Sequence, residues 1–513
     1  LLSRRQRQMC IRDRKKSVHS ITATGVFSAQ KYQYDRLYGA SKDLSFNSLW
    51  YNLNGGAIES LSSNFSQWTM MSYVGRINYG LMDRYLLTAS LRYDGSSRLS
   101  EGNKWALFPS AAIAWRITEE DFAKNLDWLS NLKLRFSYGQ AGNTNSVSPY
   151  ASEGTISGSV YYPFGTSTSV GNLPANIANP MLTWERTSEY NVGLDFGFLN
   201  QRISGNIEYY NRTTNDLLMK RNIPVHLGYS SVTSNVGSVR NSGFELQLNT
   251  ANIMTKNFAW NTTINLAYNK NEIVSLADEE DLSNYSIHLQ GMRGRYSDKR
   301  FIGKPVDTNW TQNTIGVWQL GEEEEAAKYG CVPGNFKIKD YNNDGKLTDD
   351  DYIIDGKRTP DWTGGMTNMF KIYDFDFSFH MYFQAGATQY DRFFENFALE
   401  WNSQNFNNLR TNYWTPENPS NTMGRPSQMG SRGNIAYERT DFLKVSYITL
   451  GYTLNKRLMS KWGLDNARIY VTVQNPFILT KFRGLDPEQP DLTNIGDTDG
   501  MTMNALLGVN ISF

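Results

Sequence analysis

The residues with the clearest potential for chemistry lie in one acidic segment of the chain. Six of its residues match a calcium-binding loop, D-x-[DN]-x-[DN]-G-x5-E, by type and spacing: Asp340, Asn342, Asp344, Gly345, Lys346 and Asp351. In such loops side-chain oxygens, one main-chain carbonyl (here that of Lys346) and a closing carboxylate surround a hard cation, while the glycine makes a sharp turn. The segment is therefore a candidate Ca2+ site, and no other cofactor is predicted.

Two features of the same segment leave its interpretation open. Asp351 stands where the pattern has a bidentate Glu, and its shorter side chain reaches less far, which would weaken metal binding. The helices that flank an EF-hand are also missing, so this would be an isolated loop. The alternative is an Asn/Asp-Gly turn whose side chains accept hydrogen bonds from the backbone.

The other chemistry-bearing residues form no recognisable catalytic set. The sequence contains no G-x-S-x-G, no H-E-x-x-H and no glycine-rich phosphate loop. Glu185 and Glu189 would share one face of a strand, but nothing separates them from other polar residues as glycoside-hydrolysing carboxylates. Histidines and cysteines lie too far apart for metal or redox spacings: His19, His226, His288, His380, Cys10 and Cys331. We predict that the chain is not an enzyme.

Composition excludes two further classes. Lys plus Arg number 51 against 50 for Asp plus Glu, and the charges are spread along the chain, so nucleic acid is not a predicted partner. No run approaches the roughly 18–20 apolar residues that a membrane helix needs. Any membrane span must therefore use strands, because a bilayer admits only helices and closed barrels.

Alternation of apolar and polar residues with a period of two is the dominant pattern from residue 17 onward. In the segment 85–94, for example, Leu87 and Leu91 alternate with Thr88 and Arg92. We count roughly 14–16 such strands. Tight turns are predicted at 81–83, 199–201, 255–257 and 373–374, and long Gly-, Ser-, Asn- and Pro-rich connections at 141–180, 276–335 and 392–440.

The last strand of the chain gives the strongest single indication of a membrane barrel. From Met503 to Phe513 the odd-numbered residues are apolar and the even-numbered ones mostly polar, and the chain ends on an aromatic residue. Short turns at one end, long loops at the other and apolar faces without cover favour an outer-membrane barrel. A soluble sandwich or propeller also has alternating strands. Strands longer than ten residues and aromatic residues near strand ends favour the membrane alternative.

The amino terminus does not fit this pattern. Residues 1–16 contain seven Arg or Lys and no apolar stretch, so they predict neither a signal peptide nor a strand. The hexapeptide MCIRDR, residues 9–14, back-translates to a sequence that resembles the mosaic-end adapter of transposase-made libraries. We interpret residues 1–14 as an artefact or a disordered basic arm, and expect the natural protein to begin upstream.

Four segments carry a family resemblance, and they occur in family order: LRYDGSSRLSEGNKWALFPSAAIAWRITEEDF (91–122), LKLRFSYGQAGN (132–143), NPMLTWERTSEYNVGLDFGFLNQRISGNIEYYNRTTNDLL (179–218) and FKIKDYNNDGKLTDDDYIIDGKRTPDWTGGM (336–366). Together with the terminal Phe513, they make the chain resemble the SusC/RagA family of TonB-dependent outer-membrane transporters. The resemblance implies an all-β transmembrane antiparallel barrel of about 22 strands closed around an amino-terminal plug. Residues 15–513 would be its carboxy-terminal part, with the plug domain absent.

The resemblance also implies location, partners and function. The chain would lie in the Gram-negative outer membrane, in contact with the lipid bilayer, and its last strand, ending on Phe513, would be the assembly signal. A SusD-like surface lipoprotein would cap it, and the TonB complex would act through the missing amino-terminal region. Import of an oligosaccharide or peptide is the expected function, and a surface adhesion or structural barrel is the alternative.

Residues of the long loops are the candidates for ligand contact. Aromatic side chains there could stack on sugar rings or hold a peptide, or could pack on the loops themselves: Tyr161, Tyr162, Phe164, Trp310, Trp318, Phe393, Phe394, Phe397, Trp401 and Trp414. The run from Glu322 to Glu325, followed by two alanines, predicts one or two helical turns. Its acidic face would be solvated or would contact a partner lid.

Overall fold

A computed structural model describes most of the chain. It covers the backbone of residues 2–13 and residues 18–46, 48, 50–224, 226, 228–229, 231–399, 411–426, 431–455, 459, 462–489 and 501–513. The candidate Trp401 lies outside the described residues.

Strands dominate this structure. In the first half of the chain they are β1 (Leu2–Asp13), β2 (His19–Lys42), β3 (Ala57–Leu81), β4 (Tyr85–Ser96), β5 (Trp105–Arg116), β6 (Leu129–Asn143), β7 (Ile156–Phe164), β8 (Ser167–Pro174), β9 (Glu185–Phe198), β10 (Ile203–Asn215), β11 (Leu218–Asn222), β12 (Ser231–Asn235) and β13 (Ser238–Met254). In the second half they are β14 (Phe258–Ser275), β15 (Glu280–Asp281), β16 (Arg293–Arg295), β17 (Arg300–Phe301), β18 (Thr308–Gln312), β19 (Thr314–Val317), β20 (Phe336–Ile338), β21 (Tyr352–Lys357), β22 (Trp362–Ile372), β23 (Phe375–Ala385), β24 (Thr388–Tyr390), β25 (Tyr437–Arg439), β26 (Phe442–Thr453), β27 (Asn466–Thr480) and β28 (Asn504–Ser512).

Helices are few and short. The α-helices are α1 (Glu323–Lys328) and α2 (Arg392–Phe394), and α2 continues into a π-helical turn, Glu395–Leu399. Single 3-10 turns occur at Leu53–Gly55, Ile117–Glu119, Ile287–Leu289, Tyr296–Asp298 and Asp349–Asp351. Within the part of the chain that the structure describes, none of the helices has the length and apolar character to cross a bilayer.

Fifteen strands form one large sheet with the order β1-β2-β3-β4-β5-β6-β9-β10-β13-β14-β22-β23-β26-β27-β28. Neighbours are successive in sequence apart from the strands inserted in the long connections, and pairing is antiparallel, as in β3 with β4 and β22 with β23. The thirteen other strands form six small sheets within those connections. The predicted all-β fold with 14–16 strands is confirmed.

The predicted tight turns are present. β3 and β4 are joined through Met82, Asp83 and Arg84, and β22 and β23 through Tyr373 and Asp374. Met82, Asp83 and Tyr373 have positive φ values of 54°, 56° and 53°. Short hairpin turns use this left-handed backbone because it matches the twist of the strands. Two long connections, 276–361 and 386–441, end at the opposite ends of β22 and β23.

Contacts divide the chain into two compact units. The first unit comprises Leu1–Glu119, Arg135–Asn191 and Arg212–Ser238, and the second comprises Glu120–Leu134, Val192–Asn211 and Val239–Phe513. Each unit contains its part of the large sheet and its own loop clusters.

In the first unit the apolar face of the sheet is exposed. Tyr73, Tyr93 and Leu107 lie opposite one another on β3, β4 and β5, and their exposed fractions are 47%, 43% and 46%. Polar side chains on the same strands are buried, since Ser72 and Asp94 are each 3% exposed. This is the reverse of a water-soluble sheet and fits strands whose apolar face contacts lipid.

The second unit repeats this arrangement at the carboxy-terminal strands. Ile469 and Val471 of β27 lie opposite Val509 and Leu507 of β28. All four are between 42% and 70% exposed. The odd-numbered residues of β28 therefore extend the apolar face of β27, as the alternation predicts.

One expectation about the amino terminus is wrong. Residues 2–13 were expected to form no strand, whereas β1 pairs antiparallel with β2 from Leu2 opposite Tyr32 to Asp13 opposite Ile21. Backbone hydrogen bonding to a long neighbouring strand does not depend on apolar alternation, which the prediction used. The interpretation of residues 1–14 as an artefact concerns their origin and stays a prediction.

Candidate functional site

The loops of the first unit pack around a buried tryptophan. Trp184 is 1% exposed, and its ring meets Phe108 edge-on at 5.4 Å between centroids. The indole N–H donates to the Lys104 carbonyl at 3.0 Å. Only glycine fits at position 142, since an added Cβ would lie 2.7 Å from Trp184 Cε3. This packing fixes the connection between β6 and β9 at the long-loop ends of the strands.

A polar contact supports the same connection. Arg98 donates to the carbonyls of Thr144 and Val147 at 2.9 and 3.1 Å, and its guanidinium lies 4.5 Å above the Trp68 ring. Charge-assisted bonds of this kind are stronger than neutral ones. The β6–β9 connection is therefore held by the Arg98 hydrogen bonds near its start and by the packing of Trp184 near its end.

A hairpin formed by β7 and β8 presents exposed aromatic residues in this connection. Tyr161, Tyr162 and Phe164 are 67%, 41% and 66% exposed. Val170, opposite Tyr161, is 65% exposed. Of the aromatic candidates named from the sequence, these three are available to a ligand or partner.

Most aromatic candidates of the second unit are instead buried. Trp318, Phe397 and Trp414 are 3%, 8% and 6% exposed, and Phe394 is 7% exposed. The indole N–H of Trp414 donates to Gln319 Oε1 at 2.9 Å. These residues stabilise a core shared by the connections 276–361 and 386–441, and they are not stacking platforms. The interpretation that such residues pack on the loops themselves holds for all four.

Two aromatic candidates are partly covered. Trp310 packs on Phe301 and Tyr296 with ring centroids 5.1 and 6.2 Å away. Phe393 packs on Phe397 at 4.5 Å. Both therefore have structural neighbours within the loops.

In the acidic segment, backbone N–H groups are the principal hydrogen-bond donors. Asp340 accepts from the N–H groups of Asn343 and Gly345 at 2.6 and 2.9 Å. Asp344 accepts from the N–H of Lys346 at 2.8 Å. Burial alone would raise the pKa of Asp340, but the donors at Gly345, Tyr329 and Asn343 hold that pKa below its ordinary value. The segment thus forms a series of Asx turns.

Asp351 closes this segment from the inside. Its side chain is fully buried and accepts from the N–H groups of Tyr341 and Thr348 at 2.8 and 2.9 Å. Thr348 in turn caps the 3-10 turn at Asp349–Asp351 in a capping box. Asp351 therefore connects the two ends of the loop.

The calcium prediction stays a prediction. Among the described residues no group of three or more His, Cys, Asp or Glu is arranged to hold a metal ion. The carboxylates that accept one N–H per oxygen still have lone pairs for a cation, so both interpretations made from the sequence survive.

Calcium dependence separates these interpretations. If the loop binds Ca2+, the full-length protein should show calcium-dependent protection of residues 335–360 from proteases, and Asp344→Ala should reduce it without loss of barrel folding, because the strand ladder does not depend on the loop. Asp350→Ala, in the same loop but outside the pattern, is the matched control. Equal protection of the wild type in calcium and in chelator would show that the loop is only a turn.

The predicted acidic helix is present as α1. Glu323, Glu324 and Glu325 are exposed, whereas Ala326 is fully buried. Glu322 forms an ion pair with Lys337 at 2.9 Å. The acidic face is thus solvated, and its contact with a lid stays a prediction.

Other residues considered for chemistry have structural partners. Glu189 pairs with Arg212 at 2.7 Å, and Glu185 accepts from Asn143 at 3.2 Å. His380 Nδ1 lies 2.8 Å from the Thr367 hydroxyl on the polar face of the sheet. Cys331 is a free thiol whose pKa is raised by burial. We find no geometric sign of a nucleophile or acid–base pair in them.

A polar pocket in the second unit was missed by the sequence analysis. It has a volume of about 240 Å3 and is lined by Arg358, Gln389, Tyr390, Arg392, Glu395 and Tyr437. These residues come from three separate stretches of the chain, so no local motif marks them.

Comparison with known proteins decides the family. The profile of the family described as TonB dependent receptor-like, beta-barrel, matches residues 12–475. The chain belongs to this family. Membership confirms the predicted fold class, the outer-membrane location and the prediction that the chain is not an enzyme.

Individual relatives agree with this assignment. The TonB-dependent receptor SusC of Bacteroides thetaiotaomicron is 35% identical over 457 residues, which cover 87% of this chain and 44% of SusC. A TonB-dependent receptor of Formosa agariphila is 33% identical over 518 residues, covering 96% of this chain and 51% of its own length. The chain thus spans about half the length of the curated relatives it matches.

A solved structure shares the fold. The RagAB peptide transporter superposes with a TM-score of 0.81 at 22% identity, covering 100% of this chain and 55% of the transporter chain. A likeness at this identity supports the barrel architecture of this TonB-dependent receptor.

Proposed function

We propose that this chain is the barrel part of a SusC-like transporter that imports an oligomeric nutrient, a glycan or a peptide, across the outer membrane. The observation that carries the proposal is the family match over residues 12–475, with SusC at 35% identity. The exposed apolar face and buried polar face of the sheet support it, because a transporter needs lipid on one side and a polar path on the other.

The polar face offers groups that suit such a ligand. A shallow cavity of about 410 Å3 on the second unit is lined by side chains from five neighbouring strands, among them Asn206, Glu208, Gln247, His380 and Tyr382. Amides, carboxylates and a phenol can hydrogen-bond to sugar hydroxyls and peptide groups alike. This chemistry supports passage of a polar oligomer without choosing between the two classes.

The proposed mechanism assigns a step to each part. A SusD-like lipoprotein would hold the ligand against the long loops, and TonB would move a plug supplied by the remainder of the full-length protein. The ligand would then diffuse past the polar face. Buried loop cores, such as that around Trp414, would keep the loops in place while the lid moves.

Uptake experiments test this proposal against the alternative of an adhesin. Deletion of the full-length gene should abolish uptake of a fluorescent oligosaccharide or peptide pool, and a plasmid copy should restore it. A strain without TonB should show the same loss. Uptake unchanged in both strains, with cell attachment to surfaces reduced in the deletion strain, would instead identify an adhesion or structural protein.

A further inference from the structure

The polar pocket of the second unit lies at the long-loop ends of two adjacent strands. Arg358 precedes β22 by a short segment, and Gln389 follows β23, whose other end carries the tight turn at Tyr373. In outer-membrane barrels long loops face the outside of the cell. The pocket therefore lies where an incoming ligand first meets the strands.

Two arginines, Arg358 and Arg392, and one glutamate, Glu395, line this pocket. Glu395 is shared by Arg392 and Arg432, with nitrogen–oxygen distances of 3.7 and 4.0 Å. Asp355 accepts from the Asn434 amide at 2.8 Å. Arg392 and Arg432 therefore already have a carboxylate partner.

Arg358 is the guanidinium best placed to bind a ligand. It is exposed, and among the described residues its side chain has no hydrogen bond or ion pair. Burial raises the pKa of the Tyr437 phenol, and the nearby Arg358 charge lowers it in part. Arg358 and Tyr437 both line the pocket.

The walls of the pocket are fixed by short-range structure. Tyr390 and Tyr437 are directly opposite each other in the β24–β25 pair, with ring centroids 5.0 Å apart. The Tyr390 hydroxyl donates to Glu395. Asp391, which is fully buried, caps α2 by accepting from the Phe394 N–H at 2.9 Å. A site held in this way loses little entropy on binding.

We propose that this pocket is a subsite for a carboxylate of the transported ligand, with Arg358 as its anion-binding residue and Tyr437 as a wall. The proposal deepens the function proposed above and rests on it. A carboxylate occurs at the carboxyl terminus of a peptide and on the uronic acids of a glycan, so the pocket would select acidic members of either class. Neutral oligomers would lack this contact.

The chemistry of arginine supports a carboxylate over other ligands. A guanidinium presents parallel N–H donors that match both oxygens of a carboxylate. The volume of about 240 Å3 accommodates a carboxylate with part of the residue or sugar ring that bears it.

Matched pairs of probes test the proposal on the purified full-length transporter. The probes are tetra-alanine and its carboxy-terminal amide, and trigalacturonate and its methyl ester. We expect the acid of at least one pair to bind about tenfold more tightly than its neutral partner, as expected for a hydrogen bond to a charged group. Arg358→Gln should remove this preference and leave the affinity for the neutral partner within about twofold.

Two variants serve as controls. Arg358→Lys keeps the charge but loses the bidentate geometry, so it should retain part of the preference. Arg439→Gln removes an exposed arginine of β25 that pairs with Asp441 and does not line the pocket. It should leave the preference unchanged. Equal levels of all variants in the outer membrane would exclude a folding effect.

Each outcome decides between sources of the carboxylate or against the subsite. Preference for tetra-alanine indicates a peptide terminus, preference for trigalacturonate indicates a uronic acid, and both indicate a general carboxylate site. Equal binding within both pairs, a preference that survives Arg358→Gln, or no binding of any probe would overturn the subsite. The import function is judged separately by the gene deletion, so its failure is distinguishable.

Discussion

Replacement of Trp184 by alanine should destabilise the loop cluster of the first unit by about 3–5 kcal/mol, which is typical of a buried tryptophan. The substitution removes a ring that is 1% exposed, its edge-on contact with Phe108 and the hydrogen bond to the Lys104 carbonyl. The cavity would be bordered by Leu99 and Leu182, which are themselves almost fully buried. We expect the connection between β6 and β9 to open locally while the strand ladder remains paired.

Hydrogen exchange of the full-length protein would measure this effect. Amides of residues 99–104 and 144–147 should exchange at least a hundredfold faster in Trp184→Ala, since about 3 kcal/mol corresponds to a factor above 100. Trp50→Ala is the control, because Trp50 belongs to the same unit but is 76% exposed. Unchanged exchange in Trp184→Ala would mean that the cluster does not hold the loop.

Replacement of Phe513 by lysine should reduce the amount of folded protein in the outer membrane by about tenfold. Phe513 is 91% exposed and continues the apolar face on which Val509 and Ile511 lie. A lysine on the lipid face is costly, and an aromatic residue is favoured at the membrane interface. If the last strand is the assembly signal, the cost of the lysine and the loss of the aromatic ring should both impair insertion of the barrel into the membrane.

The control places the same charge one position away. Ser512→Lys puts a lysine on the opposite face of the strand, and Phe513→Tyr keeps an aromatic terminus, so both should preserve most of the surface level. The measurement is heat-modifiable mobility of the protein from outer-membrane fractions. Surface levels of Phe513→Lys equal to those of the wild type would contradict the assembly role.

The strands could be predicted from the sequence because their cause is local. Leu87 and Leu91 share a face by the geometry of the strand alone, and the structure places them opposite Ile113 and Pro109 of β5. The tight turn at Leu81–Asp83 was visible as a short interruption between two alternating runs. The prediction that residues 2–13 form no strand was wrong because it relied on side-chain alternation alone. The pairing of β1 with β2 uses backbone hydrogen bonds, which that pattern does not report.

The loop architecture could not be predicted because its contacts are distant in sequence. Trp184 bonds to Lys104, and Trp414 bonds to Gln319, across 80 and 95 residues. The pocket around Arg358 combines that residue, from the β14–β22 connection, with Tyr390 and Tyr437 from the β23–β26 connection. Such arrangements depend on which loops pack together, and the periodicity of apolar residues in the sequence carries no information about that. The acidic segment was visible as a motif because its pattern residues, Asp340 to Asp351, all lie within twelve residues.

The exposed hairpin of β7 and β8 has a chemical consequence of its own. No Lys, Arg, Asp, Glu, His or Cys occurs between Glu153 and Glu185, so the hairpin offers neither an amine nor a carboxylate nor a thiol. Cross-linkers directed at lysine or at carboxyl groups would therefore not react with the hairpin. The phenols of Tyr161 and Tyr162, which are 67% and 41% exposed, are its reactive groups. A covalent map of the partners of this surface must therefore use tyrosine-directed radical labelling.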